Sequence, residues 1–125
     1  MNEIRRNVRD SIVTILQAMT NVDPPVTTSD PALDSTRTWL LEYNGRPEFD
    51  YNTEFYEATE SLWADVGVQQ CFERSNEYQL IDCAKYFLDK VSEVKRDEFN
   101  PRLVFFHQIQ QMTIEFFENF NQNSG

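Results

Sequence analysis

Ile4, Val8, Ile12, Ile15 and Met19 recur at steps of four, four, three and four residues, and Leu16 widens the row. Side chains at that spacing share one face of an α-helix, so the start of the chain reads as a long amphipathic helix with a broad apolar stripe. The segment Asn21-Val22-Asp23-Pro24-Pro25 ends it, because proline has no amide donor and disfavours helical geometry in the residue before it. A helix of this kind persists only when its stripe is buried. The rest of the chain must therefore supply partners for that face.

The partners read as shorter helices. Thr27 to Asp30 is a polar loop, and Asp30-Pro31 offers an N-cap followed by proline in the first helical position. That second helix runs through Trp39, Leu40 and Leu41 and closes at Asn44-Gly45, two residues that tolerate left-handed geometry. Pro47 to Asn52 is an extended linker. Asn52 or Thr53 then caps a third helix with Phe55, Ala58, Leu62 and Trp63 on one side and Glu54, Glu57 and Glu60 on a solvated face. Gly67 is expected to break it after Val66, with a short helical turn over Val68 to Phe72 and a polar stretch from Glu73 to Glu77. Leu80, Ile81, Ala84, Phe87, Leu88 and Val91 mark a further helix, and Ser92 to Phe99 a last short turn before Asn100-Pro101. Arg102 to Phe120 is dense in Phe and Gln, with Ile109, Met112 and Phe116 at helical spacing, ahead of a polar end over 121–125. No run alternates apolar and polar residues between turn signals, and only 3 glycines are available for turns. The fold class is all-α: a bundle of shorter helices around one long central helix, plus a C-terminal amphipathic helix. A first unit over 1–101 and a Phe-rich tail over 102–125 are expected.

Charge and motifs remove several functions. With 11 Lys and Arg against 21 Asp and Glu, the net charge is −10, the wrong sign for a nucleic-acid partner, which is bound by neutralising phosphates. No apolar stretch follows Arg5, Arg6 and Arg9 as a signal peptide requires, and runs such as Leu103 to Phe106 are too short to span a bilayer. Cys71 and Cys83 form no CxxC pair and read as reduced thiols buried as small apolar groups, which fits a cytoplasmic chain. Direct membrane docking through the tail is disfavoured, because Arg102 is its one cation while Glu115 and Glu118 oppose an anionic leaflet. Catalysis would rest on a single histidine, His107, which has no carboxylate at a nearby helical spacing. One histidine and two distant cysteines make no zinc set, and no Glu-x-x-His pair, nucleophile elbow or phosphate loop occurs. No catalytic residue and no metal site are assigned.

The stretch from Leu62 to Lys90, LWADVGVQQCFERSNEYQLIDCAKYFLDK, resembles heterotrimeric G-protein alpha subunits, most of all the stimulatory class. The likeness centres on Glu73-Arg74-Ser75-Asn76-Glu77-Tyr78-Gln79-Leu80-Ile81-Asp82-Cys83-Ala84. It extends through Ile12 to Pro25 (IVTILQAMTNVDPP) and Phe49 to Tyr56 (FDYNTEFY), covering roughly Val8 to Pro101. The resemblance implies an all-α domain that is inserted into a Ras-like GTPase and covers its guanine nucleotide as a lid. The long helix would start near Asn2. Ser75, Asn76 and Asp82 would face the nucleotide cleft, Ser75 toward its phosphate side and Asp82 toward a lysine of the GTPase domain. In the parent family, GTP or GDP and Mg2+ are bound, and the protein signals from G-protein-coupled receptors to adenylate cyclase at the inner face of the plasma membrane.

Departures from that pattern limit the expectation. The family's phosphate loop would precede residue 1, and the sequence after Arg102 does not match the segment carrying the catalytic arginine, so Arg102 is not given that role. The magnesium-binding threonine segment, Asp-x-x-Gly and Asn-Lys-x-Asp are not found in residues 1–125. The chain is thus expected to hold no cofactor itself and to serve as a lid or interaction fragment whose partner is the Ras-like GTPase domain. Two alternatives stay open: a non-catalytic binding or homo-oligomerising module acting through the tail, or part of a full GTPase. For the tail, Phe105, Ile109, Met112 and Phe116 are expected to pack on the bundle or to pair between chains.

Overall fold

The first helix, α1 (Asn2–Ala18), buries its stripe as the spacing requires: Val8, Ile12, Ile15, Leu16 and Met19 are each 0% exposed. Burying an Ile or Leu fully contributes about 1.5–3 kcal/mol, so this face anchors the bundle. The computed structural model describes residues 2–98 and 109–119. Within them follow α2 (Ala32–Asn44), α3 (Thr53–Trp63), α4 (Val66–Glu73), a 3-10 turn (Ser75–Glu77), α5 (Ala84–Asp89), α6 (Val91–Glu98) and a helix over 109–119, here α7. No strand occurs among the described residues. α1 packs against α2, α4, α5 and α6, and α3 against α2, α4 and α6. The long helix is central and the fold is all-α, as the periodicity implies.

Two arginines fasten the ends of these helices. Arg37 of α2 donates from Nη2 (2.8 Å) and Nε (3.2 Å) to the carbonyl of Leu16 in the last turn of α1. Arg9 of α1 donates to Oδ1 (2.7 Å) and the carbonyl (2.9 Å) of Asn44 at the end of α2. Both satisfy helix-end acceptors that have no partner within their own helix. Arg9 also lies 3.6 Å over the ring of Phe49, within an aromatic group that includes Trp39, Tyr43, Tyr51 and Phe55.

The starts of α2 and α3 agree with the sequence to within a residue, whereas α4 starts at Val66 rather than Val68 and α5 at Ala84 rather than Leu80. Asn52 Oδ1 accepts from the Phe55 amide (2.9 Å), capping α3. Asp30 Oδ1 accepts from the Ala32 amide (2.9 Å), although Pro31 itself sits just ahead of α2 rather than in its first turn.

Four expectations are corrected. Gly45 closes α2 in right-handed geometry, φ −86° and ψ −3°, so no left-handed residue is used there. Gly67 is not a breaker: α3 ends at Trp63, and Gly67 lies buried inside α4, where a Cβ would meet the Thr27 carbonyl oxygen at 2.0 Å. The helix foreseen from Leu80 to Val91 is two, with Lys90 between α5 and α6. Cys83 is exposed, whereas Cys71 is buried.

Candidate functional site

The polar segment singled out in the sequence is built on the end of α4. Arg74 follows α4 and donates its own amide back to Cys71 and Phe72, ending the helix. Ser75, Asn76 and Glu77 then form the single 3-10 turn. Ser75 is half-buried and Asn76 exposed, so the two share one short edge. Asp82 is six positions further on, exposed in the turn ahead of α5 rather than within that helix. The fold thus carries Ser75 and Asn76 together and Asp82 on the connection that leaves their turn. Around them Glu73, Glu77, Gln79 and Ile81 are also exposed, which gives the edge an acidic and polar character.

Four charge-assisted bonds set this edge. The guanidinium of Arg74 makes a two-pronged contact with Glu77, Nε to Oε2 at 2.6 Å and Nη2 to Oε1 at 2.9 Å. On its other side Nη1 donates to the Pro24 carbonyl and Nη2 to the Asp23 carbonyl, each at 2.7 Å. Arg74 holds the Glu77 carboxyl below the usual carboxylate range, chiefly by these hydrogen bonds. Tyr78 adds an inner tie: its hydroxyl donates to the Cys71 carbonyl at 2.8 Å, next to the buried Cys71 thiol. Burial pushes both the Tyr78 hydroxyl and the Cys71 thiol up, which keeps them neutral.

The loop that Arg74 grips is held again from below. Asp65 caps α4 through the Val68 amide (3.2 Å) and accepts from the amides of Ser29 (2.9 and 3.0 Å) and Asp30 (3.1 Å). Burial by itself would raise the Asp65 carboxyl, but the backbone donors of Ser29, Asp30, Val68 and Gly67 outweigh it and hold the group below its ordinary value. Gly67 lets the loop carbonyl of Thr27 come close enough for this arrangement. An open groove of about 610 Å³ runs between the loop and α4, lined by Pro24, Thr27, Ser29, Gln70, Glu73 and Arg74.

The sequence alone does not mark Arg74 or Asp65 as parts of a site. The spacing of Arg74 and Glu77 signals an i,i+3 ion pair, and Asp65 ahead of Val66 signals a cap. Their long-range acceptors and donors, in residues 23–30, carry no local signature.

Among the described residues no three His, Cys, Asp or Glu side chains gather as a metal set. None of the helices there is long and apolar enough to cross a membrane. Of the tail residues, Ile109, Met112 and Phe116 are 46, 67 and 67% exposed, so these three do not join the core of the bundle. Phe105, Arg102 and His107 lie outside the described residues.

A family profile described as G-protein alpha subunit matches residues 1–120. The chain is similar to the guanine nucleotide-binding protein G(s) subunit alpha of Lymnaea stagnalis, 50% identical over 101 residues that make up 81% of this chain and 27% of the relative. The protein of the same name from Drosophila pseudoobscura pseudoobscura is 48% identical over 101 residues, 81% of this chain and 26% of the relative. That of Homarus americanus is 43% identical over 118 residues, 94% of this chain and 31% of the relative. The chain spans about a quarter to a third of the length of these curated relatives.

Proposed function

The chain belongs to the G-protein alpha-subunit family, and from that premise we propose that its bundle is the helical lid over guanine nucleotide held by a Ras-like GTPase domain, in stimulatory-type signalling. The observation that carries this reading is the edge at Ser75–Asp82: Asn76 and Asp82 are exposed and Ser75 is half-buried, on and beside a clamped turn, and these are the residues that the resemblance would turn toward the cleft. Docking is the work such an edge suits. Ser75 and Asn76 offer a hydroxyl and an amide that can donate to phosphate or ribose oxygens. Asp82 offers an exposed carboxylate to a cation on the partner.

In this reading the chain contributes no catalytic group of its own. Phosphoryl transfer needs cations aimed at the phosphates, and the arginine on this edge already commits four N–H bonds within the chain. GTP or GDP and Mg2+ belong to the partner domain, and the lid's share is to exclude water and slow escape of the nucleotide. The place of work is the cytoplasm, in the parent family at the inner face of the plasma membrane.

The test mixes this chain with a G-protein alpha GTPase core that lacks its own helical domain, loaded with fluorescent GDP. The chain is expected to slow GDP release several-fold in a concentration-dependent way, a modest effect because docking in trans lacks the effective concentration of a covalent link. Release at the rate of the core alone, at chain concentrations up to the millimolar range, would overturn the reading.

A further inference from the structure

A three-residue 3-10 turn has little persistence of its own, since its hydrogen bonds are few and strained. The turn at Ser75–Glu77 has no side-chain cap at its start, and its backbone bonds are Glu77 N–H to Arg74 (3.0 Å) and Tyr78 N–H to Ser75 (3.3 Å). The Arg74 guanidinium joins the turn to carbonyls 50 and 51 residues earlier in the chain, and the Asp23 backbone also hydrogen-bonds the Glu77 carboxylate that Arg74 grips. Those carbonyls are themselves fixed. Val26 donates to the Met19 carbonyl at 2.8 Å, and Asp65 holds the far end of the same loop at Ser29 and Asp30.

We propose that Arg74 is a positioning residue for the docking edge: by bridging Glu77 to the carbonyls of Asp23 and Pro24, it sets where Ser75 and Asn76 are presented to the GTPase domain. The inference rests on the lid reading above. The shape of the group is what the geometry uses. One side of the planar fork meets a carboxylate and the other meets two consecutive carbonyls, a pattern that a lysine ammonium, as a compact point donor, cannot reproduce. The same commitment separates this role from phosphate binding, because it leaves at most one guanidinium N–H for a ligand. The side chain is a quarter exposed and lies outside the apolar core, so its loss disorders the edge and leaves the bundle folded.

The experiment compares the wild-type chain with Arg74→Lys and Arg74→Ala in two measurements. In the chain alone, amide hydrogen exchange at Glu77 and Tyr78 is expected to quicken about tenfold in both variants, while α3 exchanges at the wild-type rate and the melting midpoint holds. With the GTPase core and fluorescent GDP, both variants are expected to need about tenfold more chain than wild type to slow release equally. Wild-type exchange at Glu77 and Tyr78 in Arg74→Ala overturns the proposal. So does wild-type slowing of GDP release by Arg74→Lys, which would reduce the requirement to a positive charge. If the wild-type chain has no effect on the core, the lid reading fails by itself, and the exchange data still decide whether Arg74 orders the turn.

Discussion

The two regions flanking α1 are fastened by different physics. Beside its first half, the rings of Tyr43, Phe49, Tyr51 and Phe55 meet tilted or edge to face at 5.0–5.7 Å with the Arg9 guanidinium over Phe49, and the Tyr43 hydroxyl accepts from the Asp50 amide (3.0 Å) and the Asn52 side chain (2.9 Å). Beyond its other end, the loop over 23–30 is held by one carboxylate, one guanidinium and one close backbone approach. The aromatic region gains its strength from buried area and so withstands salt and acid. The clamped region gains it from a few directed bonds, which fix geometry sharply within a small volume and respond to pH and to single substitutions. A surface that must present two side chains to a partner needs the second kind of order, and the edge at Ser75–Asn76 stands on it.

The largest expected effect breaks the clamped region through space alone. Gly67 has ordinary helical backbone, but a Cβ there would lie 2.0 Å from the Thr27 oxygen and 3.0 Å from Asp65 Oδ2. Both contacts are with a held loop and its anchor, so neither can yield cheaply. Gly67→Ala should cost about 3 kcal/mol in urea unfolding, with the midpoint falling and the loop releasing from α4. A loss below about 0.5 kcal/mol would mean that the loop is softer than its hydrogen bonds imply.

The same position shows how far the sequence could be read. The helical face of α1, the cap at Asn52 and the four core positions of α3 are legible, because each is a local pattern with a local cause. Gly67 carries a pattern that usually means a break, yet its cause is a carbonyl 40 positions earlier. The division of α5 from α6 at Lys90 was hidden for a related reason: Leu88 and Val91 keep helical spacing across it, and both are buried. At the candidate site, the string from Ser75 to Asp82 stood out, whereas the tie from Arg74 to Asp23 and Pro24 is tertiary and left no spacing to find.

A second comparison sharpens the contrast by pH. The Asp65 carboxyl sits below its ordinary value of 3.8 in the folded chain. Its contribution is therefore fully present above about pH 4 and is lost as pH falls through the depressed folded value, because the unfolded chain takes up that proton first. Asp65→Asn should lose about 2 kcal/mol at neutral pH, and the gap to wild type should narrow toward pH 2. Glu77 and Asp89 are also held low, Asp89 chiefly by Lys85 and then by Trp63, so part of the acid slope remains in the variant. Tyr43→Phe should lose about 1 kcal/mol, with a gap to wild type that stays constant from pH 5 to pH 2, since the groups that donate to its hydroxyl are uncharged amides. Urea unfolding at each pH measures both. A constant gap for Asp65→Asn would remove the electrostatic account of the clamp.

The smallest expected effect lies in neither region but on α7, over 109–119, and it tests what the bundle needs. Phe116 is 67% exposed, and Met112, a turn of helix away, is equally so. Phe116→Asp removes a ring that the monomer does not bury and should leave the unfolding free energy within about 0.5 kcal/mol of wild type. A larger loss, together with a concentration-dependent melting midpoint and a smaller mass in sedimentation, would mean that chains cover this face for one another in solution. An unchanged free energy at every concentration would mean that the Phe116 face of α7 adds nothing to the bundle, leaving the opposite side, where Gln111 and Ile114 share a cavity with Ile4, Phe87 and Val94, as the only side of α7 that can hold it there.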